Sequence, residues 1–575
     1  MSDKRTSNSK AEAVDSALPG VTIESGRPAT VSSHDGTAIR LNSFCLAAGG
    51  RTLLRNATAE FPAGRLTLLL GCSGVGKSLL MRILAGLIDE SHPAVRFSGS
   101  IQFADGSDID QRRNHQDHPV AIVFQSFALF DELSPSENIE IAVDHSPAST
   151  TVTSTSTVTS TATNKPQTSR KCAQELLKQL GVPADRPTSV LSGGQQQRLA
   201  IARAISMQTD VVLYDEPTSG LDTNTARQVA RLIQKTQQDF RRTSVIVTHD
   251  FAALLEIADH VIVLDHRQQC LHEISSDRWN QLPEILGPPP VVDDGPAPES
   301  RLLRRAGERV LRAAEASGEF LEQVVTLPIS LLPLWRSFRW GRRMTWHYMK
   351  LVAGWSACFY IAIAGMIIGF VAQDFIFRYL PFRQYTEPLL IENLLHATGF
   401  SLYRFLVPIL CTILIAARSG AAVAADVGSK VYGDQLDAMK TIGMNPGRSV
   451  RTPILYAFLV GTPLLTFLSY SVAGLTSAVA FLMTHPAEGI AFWDSHFHKE
   501  LRLPDSVFYK GTGWLVAKLL TCAAGIAMIS WNCGSEPKQS APDISHGVTR
   551  TILWSTLFVL IVHFVFSFFE FKAQI

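Results

Sequence analysis

The sequence predicts an α/β phosphate-loop nucleotide-binding domain followed by an all-α polytopic membrane domain of about five transmembrane helices. Three observations carry this. Gly71-Cys72-Ser73-Gly74-Val75-Gly76-Lys77-Ser78 has the form G-x-x-x-x-G-K-[ST], between a strand-like apolar run at 66–70 and a helix-like run at 79–84. Beyond Leu351 several apolar runs are long enough to cross a bilayer. At 575 residues the chain exceeds what one hydrophobic core organises.

Composition narrows the function. A net charge of +1 gives no global attraction to nucleic acid, so no nucleic-acid partner is expected. The 8 cysteines show no C-x-x-C pair and no metal spacing, which fits isolated thiols and, for the soluble half, a reducing compartment. Residues 1–36 are polar and lack the apolar core of a secretory signal; they read as a disordered tail.

In the phosphate loop, Gly71, Ser73, Gly74 and Gly76 let backbone N–H groups close around phosphates, and the following helix adds its positive end. Lys77 reaches β- and γ-phosphates, and the Ser78 hydroxyl suits Mg²⁺. Upstream, residues 38–54 alternate as strands do; related nucleotide-binding domains usually place an adenine-stacking aromatic here, where this sequence has Leu46 or Ala47, with Phe44 slightly upstream. Val120–Phe124 is an apolar strand ending in Gln125, placed to ligate Mg²⁺ and sense the γ-phosphate. Residues 146–169 are Ser/Thr-rich, of low complexity and without helical period, and read as an exposed, flexible insertion.

Leu191-Ser192-Gly193-Gly194-Gln195 opens a helix, with Ser192 as N-cap and two glycines allowing close approach of a ligand. That makes a second anion site. Val211–Tyr214 is a buried strand ending in Asp215 and Glu216. Asp215 suits Mg²⁺ through water and Glu216 suits the general base toward an attacking water. A loop through Asp222 follows, then the strand Ser244–Thr248 ending in His249, which suits the γ-phosphate.

The phosphate loop, Gln125, the LSGGQ run at 191–195, Asp215-Glu216, Ser219–Asp222 and His249 stand in one order, and residues 38–285 resemble an ATP-binding cassette (ABC) ATPase. The resemblance implies ATP and Mg²⁺ as cofactors and a head-to-tail homodimer. Each ATP would lie between the Lys77 loop of one copy and Ser192, Gly193 and Gly194 of the other, with Gln195 and Asp222 also expected to bind ATP. Glu216 and His249 would serve hydrolysis at both sites.

Residues 286–330 begin as a Pro/Gly/Asp-rich linker and continue as an amphipathic helix at 301–325. That helix suits either a membrane surface or packing on the cassette. Arg336, Arg339, Arg342 and Arg343 precede the first apolar run and mark its cytosolic end. Crossings are expected at 351–372, 400–417, 452–483, 513–531 and 552–571, with the third kinked or broken by its prolines and glycines. The stretch near 485–510 reads as a solvated outside loop.

Arg418 to Pro446 is the most informative part of the 331–575 domain. Its small residues allow close helix packing and its acids and amide suit a cytosolic element docked on the cassette. Arg418, Gly420, Ala422, Ala424, Ala425, Asp426, Gly428, Gln435, Asp437, Ala438, Gly443 and Pro446 follow a pattern similar to MlaE-type permeases, with Asp426 for the family's Glu. Upstream, Phe405 and Val407 replace the Glu and Gly of its R-E-L-G-P run, which here spans Arg404–Pro408. This resemblance implies an ATP-driven half-transporter in the bacterial inner membrane. It would move phospholipid or a similar hydrophobic molecule with an MCE-domain periplasmic lipid-binding partner. A drug or sterol exporter and a membrane-tethered, non-transporting ATPase are the alternatives.

Overall fold

The computed structural model describes residues 36–89, 95–104, 106–108, 120–145, 165–207, 209–286, 337–379, 383–502 and 507–572, with single residues 92, 332, 333 and 335. The expected tail at 1–35, nearly all of the Ser/Thr-rich insertion, and the 301–325 helix lie outside these residues.

The soluble half holds two sheets. β1 (Ile39–Ala48), β2 (Arg51–Phe61) and β4 (Val95–Phe103) form an antiparallel sheet ordered β2-β1-β4. β3 (Leu66–Leu70), β5 (Val120–Val123), β6 (Val211–Asp215), β7 (Thr243–Val247), β8 (His260–Asp265) and β9 (Cys270–Glu273) form the second, ordered β5-β6-β7-β3-β8-β9. Only β9 is antiparallel in it. β3, β5, β6 and β7 are buried at every residue, which is why each reads as a mostly apolar run rather than an alternation.

Helices α1 (Lys77–Leu84), α2 (Pro135–His145), α3 (Lys165–Gln179), α4 (Gly193–Ser206), α5 (Thr223–Phe240), α6 (Ala252–Leu255) and α7 (Leu282–Leu286) complete this half. α3 begins inside the stretch assigned to the low-complexity insertion, so that stretch ends by Lys165 rather than at Ser169. Its final residues, Lys165-Pro166-Gln167-Thr168, place proline in the first turn, where no helical N–H is lost.

The second half is helical: α8 (Phe338–Ala353), α9 (Trp355–Tyr379), α10 (Arg383–Ser401), α11 (Val407–Ile415), α12 (Ala421–Tyr432), α13 (Gln435–Thr441), α14 (Thr452–Thr484), α15 (Gly489–Phe497), α16 (Thr512–Ser535) and α17 (Ala541–Lys572). Among the described residues, 5 helical stretches are long and apolar enough to cross a membrane: Phe338–Phe375, Ile391–Tyr432, Gly447–Thr484, Thr512–Ser535 and Ala541–Glu570.

Three differences from the sequence reading stand out. The second stretch is far longer than 400–417, because π-helical turns at Leu402–Leu406 and Ala416–Gly420 join α10, α11 and α12 without a break. The third is one continuous helix through Pro463, not a broken one. The outside segment contains α15, whose Trp493 and Phe497 are buried, so it is not merely a solvated loop.

Small residues let these helices touch. A Cβ on Gly365 would lie 2.5 Å from the Ser469 carbonyl oxygen, and one on Gly369 would overlap the Ala473 backbone; this closes α9 onto α14. The outward faces carry exposed Trp355, Phe370, Phe467, Met483 and Phe564, as lipid-facing helices do. Inside, Glu570 accepts from Arg404 (2.6 Å) and Lys518 (3.0 Å), and all three side chains are buried. Arg404 thus has a carboxylate partner at the end of α17.

Candidate nucleotide site and its contact with the membrane domain

Four adjacent strands deliver the site. Gln125 follows the end of β5, Asp215 ends β6 with Glu216 next, His249 follows β7, and the phosphate loop follows β3, so neighbouring carboxyl ends of one parallel sheet converge. Gly76 has φ of 98°, which requires glycine, and a Cβ there would also lie 2.7 Å from Leu53 Cδ1, a side-chain end that would have to turn aside.

Lys77 Nζ donates to the carbonyls of Gly71 (2.7 Å) and Cys72 (2.8 Å), drawing the loop into a ring around its ammonium. Burial lowers the Lys77 pKa, opposed by Glu216. Ser78 Oγ donates to Asp215 Oδ1 at 3.0 Å. Burial raises Asp215 to about 6; the Ser78 bond and Arg82 pull it down, while Glu216 and Asp434 push it up. Ser78, Gln125 and Asp215 offer the all-oxygen ligands that Mg²⁺ takes.

Glu216 sits at φ 49°, an uncommon conformation for a non-glycine residue at a strand end. Both of its oxygens are held: Gln125 Nε2 donates to Oε2 at 3.0 Å, and His249 Nδ1 lies 2.8 Å from Oε1. The three residues form one hydrogen-bonded unit, and its Glu216 lines a cavity of about 480 Å³ together with Ala48, Gly49, Arg51, Leu53 and the phosphate loop. No aromatic ring lines it, and Phe44 is buried against Phe97 instead.

Ser192, Gly193, Gly194, Gln195 and Asp222 are not brought to this cavity within one chain. Ser192 and Gln195 cap α4 reciprocally. Asp222 caps α5 by accepting from the Thr225 N–H, which lowers its pKa. Both segments are exposed.

The cassette touches the helical half through the strand end beside Gln125. Ser126 Oγ donates to Gly433 O (3.1 Å) and Asp434 Oδ2 (2.9 Å). Arg82 of α1 meets Asp434 at 2.5 Å and Asp437 at 3.4 Å. Gln435 Nε2 donates to Asp131 Oδ2 at 3.0 Å, and burial raises Asp131 against that bond. Lys430 joins Glu132 to Asp426, the latter at 2.7 Å. The tight turn at Gly433-Asp434 between α12 and α13, with Asp434 at φ 55°, is the point of insertion.

Arg82, Ser126, Asp131, Glu132 and Asp434 were not singled out from the sequence. Two had a local signal: Ser126 follows Gln125, and Arg82 lies one turn beyond Ser78 on the same helix. Arg418, Gly420 and Gly428 do not touch the cassette. Arg418 donates to Leu351 O (3.1 Å) and Ser356 Oγ (2.5 Å), capping the end of α8. Gly420 packs on Ile526 and Ser530, and Gly428 on Ile544.

This fold and site define a nucleotide-binding cassette joined to a membrane domain. Residues 54–219 match the ABC transporter family and residues 347–569 match the family described as Permease MlaE. The chain therefore carries an ABC ATPase domain followed, in the same polypeptide, by an MlaE permease domain.

Relatives match through the cassette. The chain is 36% identical over 231 residues to the sulfate/thiosulfate import ATP-binding protein CysA of Vibrio vulnificus, covering 40% of this chain and 62% of that protein. It is 35% identical over 218 residues to the Fe(3+) ions import ATP-binding protein FbpC of Photorhabdus laumondii, covering 38% and 56%. The chain therefore spans about three fifths of the length of these relatives. A dimeric ATP-binding cassette solved in a post-hydrolysis state with ADP and Pi is 26% identical, covers 41% of this chain and 98% of that one, and has a TM-score of 0.33.

Proposed function

We propose that this chain is an ATP-driven half-transporter that moves phospholipid or a similar hydrophobic molecule at the bacterial inner membrane. It works as a homodimer with a periplasmic MCE-type partner. The observation that carries the reading is the direct seat of the Gly433-Asp434 turn on Arg82 and Ser126, beside the nucleotide residues. ATP with Mg²⁺ supplies a phosphoanhydride whose charge the metal offsets. Lys77 and the loop N–H groups bind its phosphates; Ser78, Gln125 and Asp215 hold the metal; Glu216 orients the attacking water. Ser192, Gly193, Gly194, Gln195 and Asp222 of the second copy complete the site, which accounts for their exposure in one chain.

The names of the cassette relatives favour sulfate and iron. A hydrophobic cargo is favoured by the helical half, which a cassette match does not sample. Labelled phospholipid in proteoliposomes with the MCE partner tests this: ATP-dependent movement is expected, and ATPase activity without movement would favour the tethered-ATPase alternative.

A further inference from the structure

α8 presents three faces, and each has a different neighbour. Trp340, Met344, Tyr348 and Val352 recur every fourth residue and are buried. A second face holds the cassette: Arg339 to Glu140 at 2.9 Å, Trp340 Nε1 to Asp144 at 2.9 Å, and Arg343 to Glu137. The third face carries Phe338, Arg342, Thr345, Trp346 and Met349, and it opens on a groove of about 870 Å³ shared with Trp335 and Tyr456.

The chemistry of this groove is specific. Arg339 and Arg343 are neutralised by cassette carboxylates, whereas Arg342 is exposed and, among the described residues, has no carboxylate partner. Trp335 packs edge-on against Tyr456 and donates its N–H to Arg448 O, fixing one wall. Phe338 and Trp346 are 68% and 61% exposed, too much apolar surface to leave in water without an occupant. Lys350 lies over the Trp346 ring at 5.6 Å. Below, the same helix line continues into lipid-facing Trp355 and Phe359. A free guanidinium over an aromatic wall at the head of a membrane crossing matches a phosphodiester above acyl chain.

We propose that this groove binds an anionic phospholipid of the cytosolic leaflet, with its headgroup on Arg342 and its glycerol and upper chain against Trp335, Phe338, Trp346 and Tyr456. Because α8 also grips the cassette, the bound lipid acts as an effector of ATP turnover, apart from whatever lipid is moved. Charge complementarity decides among occupants: among the described residues Arg342 is the cation lining the groove without a carboxylate partner, and the apolar wall excludes a merely soluble anion.

The test uses the full chain in nanodiscs of phosphatidylcholine alone or with phosphatidylglycerol. Native mass spectrometry counts the lipids retained, and ATPase rates are read on the same samples. Phosphatidylglycerol should be retained about 5-fold over phosphatidylcholine, the size expected of one cation at a membrane surface. Arg342→Gln should erase that preference and Arg342→Lys should keep most of it, and the ratio of ATPase rates in the two membranes should follow. A benzophenone at position 346 should crosslink to lipid. Equal preference in the original and Gln proteins overturns the proposal. So does a crosslink from position 346 to residues 301–325, which would put the chain's own segment in the groove. Failure of the transport reading is distinct: labelled lipid would not move, while the phosphatidylglycerol preference stood.

Discussion

Arg82 meets Asp434 at 2.5 Å, four residues after Ser78 on the same short helix. The first turn of α1 therefore faces Asp215 and the phosphate loop, and the next holds the permease. Ser126 does the same one residue beyond Gln125. The nucleotide residues and the contacts with the helical half are thus separated by one helix turn on α1 and by one peptide bond after Gln125.

Glu216→Gln should retain nucleotide while phosphate release falls at least about 100-fold, the scale of a lost general base. His249→Ala should fall less, because Gln125 still holds Oε2 of Glu216. Nucleotide retention and phosphate release on the same purified protein check this, and turnover by the Gln protein at the original rate would remove Glu216 from the reaction.

Asp215 sets a pH dependence of definite sign. Its folded pKa of about 6 lies above its ordinary 3.8, so between those values the folded, nucleotide-free chain holds a proton that the unfolded chain has released. Stability of that state falls as pH rises from 4 to 6, by on the order of 3 kcal/mol, then levels off. On the proposed role of Asp215 toward Mg²⁺, its ionised form is the one that serves the metal, so Mg²⁺ affinity should rise through the same window. Asp215→Asn should raise the nucleotide-free melting temperature at pH 8 and abolish Mg²⁺-dependent hydrolysis; an unchanged melting temperature would contradict it.

Glu570 is the only described carboxylate paired with Arg404 and Lys518. Glu570→Gln leaves two buried cations without an anion and should cost about 3–5 kcal/mol. Thermal unfolding in detergent should show a clear drop, and Glu570→Asp should recover part of it.

Gly76→Ala should weaken nucleotide binding, and adding Leu53→Ala should not restore it. The second change removes the clash with Leu53 but leaves φ at 98°, which alanine rarely adopts. Nucleotide titrations of the single and double variants separate the two causes.

Much of the cassette was legible because its residues sit in local motifs: a strand, a turn and a helix fix Lys77 and Ser78, and a capped helix start fixes Ser192. The apolar runs likewise revealed the crossings, since hydropathy is local. What was not legible depends on distant partners. Arg82 and Asp434 are 352 positions apart. The π-helical turns that extend the second crossing past Arg404 and Arg418 depend on packing, which no window of sequence displays. Glu570 reaches Arg404 from the far end of another helix, 166 positions away. In the Arg418–Pro446 run one pattern held two jobs: Arg418, Gly420 and Gly428 face the permease interior, and Gln435 and Asp437 face the cassette.

The most direct test of coupling exchanges the charges of the ion pair between the halves. Arg82→Glu and Asp434→Arg are each measured for ATP hydrolysis and for lipid movement in proteoliposomes, then combined. Each single change should cut lipid moved per ATP about 10-fold, as for a partly buried pair set against like charge, while hydrolysis continues. The double exchange should restore most of it. Full transport by either single variant, or a double variant no better than the singles, would contradict transmission through this pair.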